Sequence, residues 1–94
     1  MKKWLILLHR AYSMDNSPIA LASSLAKAKN LVAKHIDGRQ ANVYPITDVS
    51  IGEWRHLTKD CWDMYLNYLD NLGTKCFDSY EIYECDIDIL LTNI

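Results

Sequence analysis

At 94 residues, half of them hydrophobic and only five of them Gly or Pro, the chain is long enough for one core and too apolar for disorder. Its formal net charge of −2 conceals a split: seven Lys/Arg stand against two Asp in residues 1–47, and three Lys/Arg against ten carboxylates in residues 48–94. That balance argues against a basic nucleic-acid binder, and Cys61, Cys76 and Cys85 form neither an even disulfide framework nor a paired metal knuckle.

The first segment, Met1-Lys2-Lys3 before Trp4-Leu5-Ile6-Leu7-Leu8, imitates the start of a secretory signal, with Ala20-Leu21-Ala22 as an apparent cleavage site. The apolar run ends after five residues at His9-Arg10, below the roughly 7–15 a signal core needs. No stretch reaches the roughly 20 apolar residues of a membrane span. The expectation is a cytoplasmic protein with its thiols reduced.

Lys3 to Arg10 is apolar at both alternating sets of positions, the pattern of a strand that is central in its sheet and covered on both sides. Ser13 to Pro18 is turn-like, and Ile19 to Ala22 completes a hairpin. Ser23 or Ser24 caps a helix to about Ile36, closed by Asp37-Gly38. Leu25, Ala28, Leu31, Val32 and Ile36 share its apolar face, Lys27, Asn30 and Lys34 the polar one; His35 falls on the apolar side and is expected to be hydrogen-bonded there. Ala41 to Tyr44 is a short strand at most, ended by Pro45.

Ser50-Ile51-Gly52-Glu53 matches a capping box, with Val49 and Trp54 placed as a hydrophobic staple. It predicts a second helix of about 22 residues, about 33 Å long, stopping at Gly73. Its apolar arc spans about 200°, wider than one sheet requires, so one margin (Trp62/Leu66 or Leu57/Met64/Tyr68) is a candidate contact patch. Tyr80 to Ile89 is read as a closing strand: Tyr83, Cys85, Ile87 and Ile89 face the core, and Glu84, Asp86 and Asp88 face water. The predicted fold is therefore α+β, a single domain over 1–94. A mainly antiparallel sheet of three to four strands carries two helices, in the order β-β-α-(β)-α-β.

Glu84, Asp86 and Asp88 stand about 7 Å apart on one strand face, where mutual repulsion in water is only about 0.6 kcal/mol. They need no metal to coexist, and an electronegative surface for a basic partner is the functional alternative to a merely solvated face. The histidines have no ligand-pair spacing, the glycines stand singly, and no nucleophile motif is present. No enzyme activity, cofactor or metal is expected.

The segments WLILLHRAY, IALASSLAKAKNLVAKHI and YEIYECDID resemble, in pattern, small proteins encoded by bacteriophages, in which a hairpin precedes a helix and an acidic strand completes the sheet. Members of that group with a known role often disable a host or defence protein, as anti-CRISPR proteins do. The resemblance implies a non-enzymatic protein-binding inhibitor acting in the host cytoplasm. Glu84, Asp86 and Asp88 are the expected electrostatic contacts, and Trp62, Leu66 and Tyr68 the apolar anchors. A homodimer is the alternative partner; nucleic acid and membrane are not expected.

Overall fold

Seven elements follow one another: β1 (Lys2–Arg10), β2 (Asn16–Ala22), α1 (Leu25–Gln40), β3 (Thr47–Ile51), β4 (Arg55–Thr58), β5 (Cys61–Leu69) and β6 (Lys75–Asp86). The computed structural model describes residues 2–10 and 16–86. All six strands join one antiparallel sheet in the order β2-β1-β6-β5-β3, and β4 shares the outer edge of β5 with β3. The chain thus makes the β1–β2 hairpin, crosses through α1 to the far edge, and returns by β5 and β6 to pair with β1.

The expected α+β architecture with two helices is corrected here: the segment after Ser50 is sheet, and α1 is the only helix among the described residues. Trp62, Met64, Leu66 and Tyr68 alternate with Asp63, Tyr65 and Asn67, a period of two. Wound at 100° per residue, such an alternation spreads apolar groups over most of the circumference, which is why the helical arc came out too wide. The Trp, Tyr and Thr content of the segment also suits strands. Ser50 is a strand residue opposite Asn67, so it caps nothing. Gly52 serves a close approach: its N–H donates to Tyr65 O at 2.8 Å, and a Cβ on it would stand 3.0 Å from that oxygen.

Local signals elsewhere translate directly. Ser24 is extended and its Oγ accepts from Lys27 N at 3.2 Å, the expected cap of α1. The helix does not stop at Asp37-Gly38 but runs to Gln40, because Arg39 in its last turn is tied to the sheet through Asp78 and Tyr80. Residues 41–44 are a turn, and the strand lies later, at Thr47–Ile51. Asp48, at φ 50°, sits where the β3–β5 register shifts and bends the edge. β6 begins at Lys75, earlier than expected; the expected continuation to Ile89 lies beyond the described residues.

The core lies between α1 and one face of the sheet. Ile6 and Leu8 of β1, Met64 and Leu66 of β5, and Tyr80 and Ile82 of β6 meet Ala28, Val32 and Ile36 of α1. Each of the aliphatic side chains larger than alanine contributes about 1.5–3 kcal/mol by leaving water. The core side of β6 is the even-numbered one, so Tyr83 and Cys85 point to the other face, the reverse of the expected orientation. No described helix is long and apolar enough to cross a membrane.

Candidate functional site

β1 is an interior strand, as its apolar run requires, yet among the described residues only one of its faces is covered. Leu5 and Leu7 point away from α1, and among the described residues no element packs over them. The register fixes what surrounds them. Leu5 stands opposite Tyr83, which stands opposite Cys61; Leu7, Glu81, Asp63 and Arg55 form the next row; His9, Ser79 and Tyr65 the one after. Phe77 lies beyond, opposite Asn67. On this bare face Tyr65 is 43% exposed, Phe77 55% and Tyr83 36%, large rings held in water by strands that cannot turn them inward.

The middle of the face is charged and internally matched. Arg55 donates to both oxygens of Asp63, at 2.8 Å from Nε and 2.6 Å from Nη2, and its guanidinium lies 4.7 Å from the centre of the Tyr65 ring. Glu81 accepts from the Tyr83 hydroxyl, which raises the phenol's pKa, with burial adding to the effect. His9 Nε2 lies 2.8 Å from Glu81 Oε1 without the alignment of a hydrogen bond. Burial pushes the pKa of the Cys61 thiol up. Two carboxylates against one guanidinium leave the row acidic, framed by Leu5, Leu7 and three aromatic rings.

A second polar cluster closes the other side of the sheet. Arg39 donates to Asp78 Oδ2 at 2.6 Å and to the Tyr80 hydroxyl at 3.1 Å, and the Tyr68 hydroxyl donates to the same carboxylate oxygen at 3.0 Å. Burial alone would lower the Arg39 pKa, but its bonds to Tyr80 and Asp78 raise it overall. Burial, with Asp78 nearby, pushes the Tyr68 phenol up to about 12. His35 Nδ1 lies 2.8 Å from the Tyr80 hydroxyl; burial, then Arg39 and Arg10, lowers its pKa. Asp78 and Tyr80 are fully buried, so the cluster locks the last turn of α1 onto β6.

Of the residues singled out from sequence, Trp62, Leu66, Tyr68, Glu84 and Asp86 all lie on the α1 side of the sheet, but they form no open contact surface. Glu84 pairs with Lys2 Nζ at 3.2 Å, Asp86 is half-buried opposite Lys2, and Asp88 lies outside the described residues. Leu66 is wholly buried in the core, so it presents nothing to a partner. Tyr68 is half-buried with its hydroxyl committed to Asp78. Trp62 stacks on His56, 4.1 Å between ring centres and 5° from parallel, and the Lys29 ammonium lies 4.3 Å from its centre. The front-half cations Lys2 and Arg39 are thus matched with back-half carboxylates, which shrinks the charge polarity written in the sequence.

The sequence pattern hides the residues of the bare face: Tyr65 lies in the segment whose capping box predicts a helix, and Tyr83 in the strand whose alternation predicts the opposite orientation. One signal was present: a five-residue apolar run, Trp4 to Leu8, demands something apolar on both sides. No protein-family profile, curated protein or solved structure matches this chain.

Proposed function

We propose that this chain is a non-enzymatic protein-binding module that docks its partner on the face of the sheet opposite α1. The observation that carries this reading is the exposure of Tyr65, Phe77 and Tyr83 around Leu5 and Leu7 on that one face. Tyr and Arg dominate the energetics of many interfaces, and here Tyr65 and Arg55 lie in contact on strands that fix their positions before binding. Glu81, whose charge Arg55 does not balance, favours a partner with a Lys or Arg at the centre of an apolar patch.

The same charge disfavours a second copy. A two-fold dimer through this face would press Glu81 toward its own image, burying like charges near the axis. The resemblance to small phage accessory proteins supports an inhibitory version, with a host or defence protein as the partner.

The test is differential capture. A Tyr65→Ser/Phe77→Ser/Tyr83→Ser variant is expected to lose a partner that the native chain retains, while Tyr44→Ser and Leu72→Ser, exposed outside this face, keep it. Equal capture by all three refutes the surface. Self-association of the native chain in sedimentation, abolished in the triple variant, would hand the face to a second copy instead.

A further inference from the structure

A different part of the molecule explains the basic half of the chain. Among the described residues β2 has β1 as its only neighbour, so its outer edge presents unpaired backbone N–H and C=O groups. Pro18, which has no N–H, and the register shift opposite Ile6/Leu7 spoil the first half of that edge for pairing. Ile19–Ala22 remains competent.

Beside that stretch lies a groove of about 360 Å³ between the strand and α1. Ala22 and Leu31 are its apolar lining beside the edge of the strand at Leu21, and Lys27, Asn30 and Lys34 line its helical side. Positions 27, 30, 31 and 34 recur every three or four residues, so all face the same way. No carboxylate lines the groove, and no ion pair among the described residues engages Lys27 or Lys34.

We propose that this groove binds an extended acidic peptide segment of a partner protein, added to the sheet as a strand alongside β2. Backbone pairing with Ile19–Ala22 supplies sequence-independent affinity, and side-chain contacts with α1 supply the selection. Lys27 and Lys34 are two turns apart, about 10 Å along the helix, with Leu31 between them. Side chains on one face of an extended chain recur about every 7 Å, so the pattern acid-x-apolar-x-acid sets its carboxylates within reach of both ammonium groups and its middle residue on Leu31. A basic or neutral strand would leave the two lysines facing each other uncompensated.

The site is separate from the bare sheet face, so its failure leaves the proposed function standing, and the reverse. The experiment pans a random nonapeptide display library against the full chain and measures selected peptides by fluorescence polarisation. The expected pool carries Asp or Glu four positions apart, with an apolar residue midway between them. Binding weakens at least tenfold in K27E/K34E and falls steeply between 50 and 500 mM salt, and the amides of Ile19–Ala22 gain exchange protection on peptide addition. K27E puts a glutamate three residues after the Ser24 cap, so helix formation is supported in the variant. The proposal is overturned by any of four results: no enrichment; affinity unchanged in K27E/K34E; protection confined to β5 and β6; or tighter K27/K34-dependent binding of a ten-nucleotide single strand.

Discussion

Arg55 on β4 grips Asp63 on β5 through two hydrogen bonds, on the face of the sheet that α1 leaves bare, with Glu81 directly across from the same carboxylate. Asp63 is buried while Arg55 is half exposed, so the guanidinium acts as a lid on a carboxylate that water does not reach. Arg55→Ala is therefore expected to lower the urea midpoint, because it strands Asp63 beside Glu81. Asp63→Asn in the same background recovers most of the loss. A single and double variant of equal stability would show that the pair does not matter.

Gly52 separates the sheet from the helix expected for this region. Within a first helical turn Gly52→Ala would stabilise by up to about 1 kcal/mol. In the sheet the added Cβ meets Tyr65 O at 3.0 Å and pushes β3 from β5. The expected outcome is a loss of about 1–2 kcal/mol in denaturant unfolding.

The Arg39–Asp78 pair is buried, so breaking one side of it is severe. Arg39→Leu is expected to cost about 3 kcal/mol, because it leaves the buried Asp78 carboxyl without its guanidinium partner. Arg39→Leu/Asp78→Asn costs much less than the two single changes added together. A double-mutant cycle by urea denaturation measures the coupling.

His35 makes stability depend on pH. Its folded pKa lies below the ordinary value of 6.5, with burial the main cause and Arg39 and Arg10 adding to it. As pH falls below 6.5 the unfolded chain takes up the proton first, so the fold loses stability down to the folded pKa and levels off below it. Its protonation is opposed by burial and by those two arginines, and its Nδ1 lies 2.8 Å from the Tyr80 hydroxyl. Urea midpoints between pH 5 and 7.5 are expected to rise with pH in the native chain, and to rise less in His35→Gln.

What was legible in the sequence was local. Ser24 capped its helix, Trp4–Leu8 formed an interior strand, and His35 found a hydroxyl, because each signal depends on near neighbours. What was not legible depended on distant ones. Trp62 to Tyr68 satisfies a strand period, but the capping-box match at Ser50 and the length of the apolar segment favoured a helix; only pairing with β6 decides between them. Glu84 and Asp86 share the parity of Tyr80 and Ile82, and the core side of β6 was set by where α1 lands, which no residue of β6 encodes.

The bare aromatic face is tested most directly by hydroxyl-radical footprinting of the free chain and of its captured complex. Tyr65, Phe77 and Tyr83 are expected to be oxidised readily in the free chain and protected several-fold in the complex, while Tyr44 reacts equally in both. Rings that are unreactive when free, or as reactive in the complex as Tyr44, would contradict a partner seated on that side of the sheet.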